Sequence, residues 1–284
     1  MIKTIRHYKI NVWVVQVLVW LALFGYAVFA LFPVLWTVLT SFKPQAEVQQ
    51  IPPTWLPHKF TLENYAQVIQ KTPVLLSLRN SIIIATGTIT LCLILGLPAA
   101  YGFSRFRFPG HKYLLLAVLG SRVIAPPALV VPFMALATRL HIVDTFYVLI
   151  LADTYMWLPF LIWLMKGTFD LIPVEIIEAA KIDGCSNVGI FFRTILPLSI
   201  TGFISVMILM FVDTWNELLF ALAFTQSPSV KPITTTMLNF YTDIYTVYGW
   251  MTAAGVLGVI PAFLFALFFQ RYIVKGIVSG AVKG

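Results

Sequence analysis

The sequence predicts an all-α membrane protein with six transmembrane helices, and three observations support this fold class. Hydrophobic residues make up 60% of the 284 positions and charged residues only 11%, whereas about 25% of a soluble domain is charged. The mean hydropathy is +0.90. Six apolar runs each reach the length of about twenty residues that a bilayer crossing needs. A soluble globular domain is therefore excluded.

The first predicted helix covers residues 12–40 and follows a basic tail of residues 1–11. Its apolar run is too long for the hydrophobic core of a signal peptide, so we expect a retained span. Residues 41–75 come next and are polar and rich in proline. They predict an outer loop that contains one short helix over residues 62–70.

Residues 76–274 are predicted to form one transmembrane domain of five helices. The pair Pro126–Pro127 should break the second of these helices, because proline lacks a backbone N–H. Residues 275–284 are expected to be a C-terminal tail. The five apolar runs lie at residues 76–101, 113–138, 146–165, 199–224 and 249–273.

The basic residues predict the orientation of the chain. The formal charge of +8 could suggest nucleic-acid binding, but Lys and Arg lie mainly at the ends of the apolar runs. Twelve of them fall in segments predicted to be cytoplasmic and six in predicted outer segments. Cytoplasmic loops carry such an excess. We therefore expect both termini in the cytoplasm of a bacterial inner membrane and no nucleic-acid partner.

A polar interruption at residues 166–198, between the fourth and fifth spans, is the most informative segment. Pro173 suits the start of a helix, and Gly184 can take the left-handed conformation that ends one. These residues predict a helix of about three turns. Ser186 can cap a second helix, whose apolar face would be formed by Ile190, Phe191 and Ile195.

This segment, with Glu-Ala-Ala, two residues, Asp-Gly and then a phenylalanine-rich helix ending in Leu-Pro, resembles the signature loop of binding-protein-dependent ABC importer permeases. In that family the loop is a cytoplasmic coupling helix, which docks on an ATPase subunit and passes its motion to the membrane helices. A plain capped helix between two spans is the alternative. The residues that the resemblance assigns to the ATPase contact are Pro173, Glu175, Glu178, Ala179, Ala180, Asp183 and Gly184.

Further phrases are similar to the maltose-type carbohydrate branch of these permeases, among them Ser41-Phe42-Lys43-Pro44 and Trp215-Asn216-Glu217-Leu218-Leu219. The resemblance implies a type I ABC importer permease fold. It also implies a second homologous permease subunit, two ATPase subunits that bind ATP and Mg²⁺, and an external solute-binding protein. The implied solute is a sugar or sugar-like compound: an oligosaccharide, an alpha-glucoside, a polyol or a glycosylated osmolyte.

The sequence predicts no enzymatic site, cofactor or metal in this chain. No Gly-x-x-x-x-Gly-Lys-Ser/Thr phosphate loop is present, so hydrolysis of ATP would occur on another chain. The four histidines stand singly, without the spacing of a metal site, and two cysteines are too few for a disulfide framework.

Two charged residues are predicted near the bilayer midplane, where a charge is costly unless it faces protein or water. Arg122 lies roughly 15 Å into the third span, and Asp153 roughly 13 Å into the fourth. We hypothesise that they approach each other. They would then form either a structural clamp between consecutive spans or a part of the solute path.

The fifth span offers a second candidate for the solute path. Asp213, Asn216, Glu217 and Phe220 have the spacing i, i+3, i+4, i+7, which places them on one stripe of a continuous helix. They could form a polar wall for sugar hydroxyls with a ring for stacking. A helix–helix contact held by hydrogen bonds is the other interpretation.

Two other classes of protein remain open from the residues alone. A secondary transporter could use Asp153, Asp213 and Glu217 for ion coupling, although no inverted repeat is visible. A membrane scaffold that transports nothing would have no use for a polar stripe in the fifth span.

Overall fold

The computed structural model describes residues 12–240 and 247–281, except for the side chains of Val12 and of residues 270–281. Within these ranges the chain is helical and forms no β-strand. Four helices are long and apolar enough to cross a membrane on their own. They are α1 (Val12–Ser41), α4 (Val74–Arg105), α7 (Phe146–Asp170) and α14 (Tyr248–Ala281).

Two further crossings are counted if each of two bent helix pairs is taken as one span. The first pair is α5 (His111–Gly120), extended by a 3₁₀ turn (Ser121–Val123), and α6 (Pro126–Arg139), with a bend of 97°. The predicted break at Pro126–Pro127 is confirmed. The second pair bends by 76° and consists of the short helices of residues 187–198 and α11 (Ile200–Trp215). Counting both pairs gives up to six spans.

Helices α4 and α7 run parallel and form the centre of the bundle. Their C-terminal ends meet where Ser104 Oγ donates a hydrogen bond of 2.6 Å to Asp170. Nearer the middle of α4, Gly96 lets the Leu161 side chain reach the backbone of this helix. A Cβ at residue 96 would lie 2.3 Å from Leu161 Cδ2. Small residues allow this close approach of membrane helices.

Helix α11 packs antiparallel to α7 and also contacts α4 and α14. The rings of Phe211 and Phe265 stack at 4.0 Å between α11 and α14. Helix α1 packs on α14, and its side chains from Trp13 to Leu35 are exposed. The bundle is therefore centred on α4, α7 and α11, with α1 at its edge.

The loops at the N-terminal ends of α4 and α7 carry short helices. They are α2 (Gln45–Val48) and α3 (Glu63–Lys71) before α4, and α12 (Leu219–Phe224) and α13 (Ile233–Leu238) after α11. The predicted short helix at residues 62–70 is confirmed by α3. Asn64 Nδ2 donates to the carbonyls of Ser41 and Lys43, which holds α3 against the end of α1.

Two sequence expectations need correction. The fifth span is not one helix over residues 199–224, because α11 ends at Trp215 and α12 begins at Leu219. The final helix does not stop near residue 274, since α14 continues to Ala281 through most of the expected tail. Residues 1–11 and 282–284, also predicted as tails, lie outside the described ranges.

Candidate functional site

The predicted coupling loop, residues 166–198, contains the helix α8 (Val174–Ile182). Pro173 precedes it as the N-cap residue, and Gly184 follows it with a φ of +80°. Ile177, 5% exposed, anchors α8 to the bundle. Of the residues assigned to the ATPase contact, Ala180 is half-buried and the others are exposed: Pro173, Glu175, Glu178, Ala179, Asp183 and Gly184.

The second half of the coupling loop also folds as predicted. Ser186 Oγ accepts a hydrogen bond of 3.2 Å from the N–H of Gly189 and caps α9 (Asn187–Ile190). A π-helical turn (Phe191–Ile195) and α10 (Leu196–Leu198) follow. The three predicted apolar residues are buried: Ile190, Phe191 and Ile195. The coupling loop therefore has an exposed helix followed by an anchored one.

A cavity of about 500 Å³ lies between the break that separates α5 from α6 and the interruption that separates α11 from α12. It is bounded by the break between α5 and α6, by the middle of α7, and by the break between α11 and α12. It brings together five of the six predicted path residues: Arg122, Asp153, Asp213, Glu217 and Phe220. Asn216 does not line it, because this residue is exposed and its Nδ2 donates to the Val212 carbonyl.

The three carboxylates of the cavity have different partners. Asp213 accepts a hydrogen bond of 2.8 Å from Trp157 Nε1. Glu217 accepts from the N–H groups of Phe220 and Ala221, at 2.7 and 3.0 Å. Asp153 is only 5% exposed and receives no hydrogen bond within the described residues. A buried polar group usually has a partner, so Asp153 is the carboxylate of the three that these contacts leave without one.

Arg122 does not form the hypothesised clamp with Asp153. Its guanidinium carbon lies 4.6 Å from the ring centroid of Phe160 and 5.4 Å from that of Trp157. Such cation–π contacts hold a guanidinium by its face. Within the described residues, the one ion pair joins Lys166 and Asp170. Arg122 and Asp153 thus share the cavity without pairing.

The predicted stripe along one continuous helix is wrong, because residues 216–218 are not helical. Glu217 lies in this break and caps α12 with its carboxylate, since the first N–H groups of a helix lack backbone partners. Asp213 and Phe220 still reach the same cavity, but from two helices.

Trp157 is a cavity residue that the sequence analysis did not place in the solute path. It lines the wall and connects Arg122 on one side to Asp213 on the other. Its position four residues after Asp153, on the same face of α7, was the available signal.

Residues 5–279 match the family profile of the binding-protein-dependent transport system inner membrane component. The chain belongs to this family. It is 33% identical to the trehalose transport system permease protein SugB of Mycobacterium tuberculosis, over 90% of this chain and 93% of that protein. It is 31% identical to the sulfoquinovosyl glycerol transport system permease protein SmoH of Agrobacterium fabrum, over 89% of each chain.

Solved structures of ABC importers have the same fold. A subunit of a bacterial transporter involved in the import of the acidic polysaccharide alginate aligns with a TM-score of 0.82, at 20% identity, over 93% of this chain and 98% of that one. A second alginate transporter structure, in complex with a pentasaccharide-bound periplasmic protein, aligns with a TM-score of 0.66, at 13% identity, over 91% and 93%. The predicted permease fold is thus confirmed.

The family membership decides between the classes that the residues left open. This chain is a multi-pass inner membrane component of a binding-protein-dependent ABC importer. The secondary-transporter alternative receives no support from the comparisons.

Proposed function

We propose that this chain is one of two permease subunits in an ABC importer for a sugar or sugar-like solute. The observation that carries the proposal is the cavity between the α5–α6 break and the α11–α12 interruption, where Arg122, Asp153 and Asp213 meet aromatic side chains. Discontinuous membrane helices border the substrate site of many secondary transporters, and the cavity here has the same kind of border. The sugars named for SugB and SmoH support the solute class.

The charges of the cavity favour a neutral, hydroxyl-rich solute. Three carboxylates face one guanidinium: Asp153, Asp213 and Glu217 against Arg122. An anionic solute would meet a single cation there, Arg122, whose guanidinium already packs on the rings of Trp157 and Phe160. Asp153 can accept hydrogen bonds from hydroxyl groups, whereas Phe220 borders the cavity with only 2% of its surface exposed because its ring stacks on that of Phe224. Oligosaccharides, alpha-glucosides, polyols and glycosylated osmolytes all fit this description.

In this function the coupling loop, residues 166–198, would lie at the cytoplasmic face. Glu175, Glu178 and Ala179 would contact an ATPase subunit, and small Ala179 would let that surface approach closely. ATP and Mg²⁺ would bind to the two ATPase subunits, while this chain would hydrolyse nothing and hold no cofactor or metal. Both termini would then lie in the cytoplasm, as the excess of basic residues predicts.

The opposite face would receive an external solute-binding protein. Residues 42–73 and 225–240 lie there, at the N-terminal ends of α4 and α7. The exposed apolar surface of the bundle, including α1, would contact lipid and the second permease subunit.

The solute class is tested by uptake into proteoliposomes that contain the complete transporter. Radiolabelled trehalose, maltose and sorbitol would be compared with the anionic sulfoquinovosyl glycerol, each with ATP inside and the binding protein outside. We expect ATP-dependent uptake of a neutral compound. It should be weakened by Asp153→Asn. Uptake of the anionic solute alone would refute the neutral assignment.

The assignment of the coupling loop is tested by crosslinking. A cysteine placed at Ala179 should form a crosslink with an ATPase subunit in inside-out vesicles. A cysteine at Ser229, on the loop assigned to the other face, is the matched control and should form none. Labelling of Ala179→Cys from outside intact cells would refute the orientation.

A further inference from the structure

Arg105, the last residue of α4, contacts the point where the coupling loop leaves α7. Its Nη2 donates hydrogen bonds to the carbonyl oxygens of Phe169 and, at 2.9 Å, of Ile172. Ile172 directly precedes Pro173, the N-cap residue of α8. Carbonyls at the end of a helix lack backbone partners, and a positive charge is favoured beside them. One guanidinium therefore joins α4, α7 and the start of the coupling helix.

The last turns of α4 also contact the second half of the coupling loop. The ring of Tyr101 lies 5.2 Å from that of Phe191, the first residue of the π-helical turn, and 6.5 Å from that of Phe169. Tyr101 and Arg105 are four residues apart and so lie on one face of α4. Residues 172 and 191, which flank α8 and α9, are thus both held by the same helix end.

The other end of α4 is tied to the loop of residues 225–240. Asn80 Nδ2 donates to the carbonyls of Pro228 and Lys231, at 3.2 and 3.0 Å. Ser81 Oγ accepts a hydrogen bond of 2.9 Å from the N–H of Ile233. Ser77 and Thr236 join through their hydroxyls at 2.6 Å. Each of these α4 side chains is less than 5% exposed.

From Asn80 to Arg105 α4 is one continuous helix, with Pro98 inside it, and spans about 38 Å. At Gly96 it packs closely against α7. A displacement of the coupling loop would therefore reach residues 225–240 through one helix that is bonded at both ends.

We propose that α4 is the strut that transmits movement of the coupling loop to the loop of residues 225–240, with Arg105 and Asn80 as the positioning residues at its ends. The inference rests on the proposed function, because it takes residues 166–198 as the ATPase contact. It adds a specific route across the protein and two residues outside the cavity and outside α8.

A purely structural role for Arg105 makes a different prediction. It would lower the yield or the melting temperature of the transporter but leave the response to ATP intact in the folded fraction. The measurement must therefore follow the response at the far loop. Ser229 is exposed in that loop and suits a reporter cysteine, in a Cys185→Ser background.

The test uses the complete transporter in lipid nanodiscs, with and without ATP and Mg²⁺. The maleimide labelling rate of Ser229→Cys is measured in wild type, Arg105→Gln, Arg105→Lys and Arg107→Gln. We expect ATP to change the rate in wild type and Arg105→Gln to reduce this change by about five-fold, at the low end of couplings between distant sites. Arg105→Lys should be intermediate, because an ammonium lacks the guanidinium fork. The exposed control Arg107→Gln should match wild type.

The second anchor provides an independent test. Asn80→Ala should also reduce the ATP-dependent change while leaving the coupling loop in place. If Arg105→Gln and Asn80→Ala both respond to ATP like wild type, the strut is refuted. If ATP changes nothing in wild type and Ala179→Cys forms no crosslink with an ATPase subunit, the proposed function itself fails.

Discussion

The contact between α4 and α7 at Gly96 predicts a large effect of a single methyl group. A Cβ at this position would lie 2.3 Å from Leu161 Cδ2 and 3.1 Å from Leu158 Cδ1. Carbon atoms in van der Waals contact are about 3.5–4.0 Å apart, so Leu161 would have to retreat by about 1 Å. Leu161 is fully buried, so it can retreat only by displacing its neighbours or by filling a void. Overpacking of this kind costs about 1–3 kcal/mol.

Gly102, on the same helix, is the matched control, since a Cβ there meets nothing within 4 Å. Both alanine substitutions gain about 1 kcal/mol of helix propensity. The difference between the two variants therefore isolates the overpacking. We expect the melting temperature of purified Gly96→Ala to lie below that of Gly102→Ala, by about 2–4 °C for each kcal/mol. Equal melting temperatures would show that α7 does not approach α4 this closely.

Two further predictions concern Asp144 and Trp157. Burial opposes ionisation of Asp144, but hydrogen bonds from Ser227 and Gln226 outweigh it and lower the pKa of the carboxyl. The stabilisation is therefore present above the unfolded pKa of about 3.9 and is lost as the pH falls through the lower folded pKa. Asp144→Asn should cost about 1 kcal/mol at pH 7, with melting temperatures that converge with wild type near pH 3; a constant difference would contradict this. Trp157→Phe keeps a ring under Arg122 but removes the bond to Asp213, and it should raise the KM for uptake by about ten-fold, whereas an unchanged KM would exclude Trp157 from the solute path.

The class of protein and the first broken span could be predicted from the sequence. The length of each apolar run predicts a membrane span, and the pair Pro126–Pro127 interrupts a helix locally. Neither signal depends on contacts between distant residues. The signature of the coupling loop depends on its own residues as well. Its helix, its glycine turn and its Ser186 cap therefore appear where the pattern places them.

The details of the cavity could not be predicted, for two physical reasons. The spacing of Asp213 and Glu217 fits a continuous helix. Only the folded chain shows that the helix stops before Glu217, whose carboxylate accepts hydrogen bonds from the first turn of α12. The depth of Arg122 and Asp153 in the membrane was inferred from residue counts, but depth does not fix lateral position. Aromatic rings of α7, rather than the carboxylate, lie under the guanidinium.

The exposure of α1 has a consequence for how the protein is made. This helix carries no charged residue between Val12 and Ser41, and it needs no buried partner along most of its length. It can therefore leave the translocon for lipid as soon as it has been synthesised. The pair α5 and α6 carries Arg122 and must wait for the rings of α7, because a lone arginine is costly in hydrocarbon. Helix α1 can thus enter the lipid alone, whereas α5 and α6 must assemble with α7 before release.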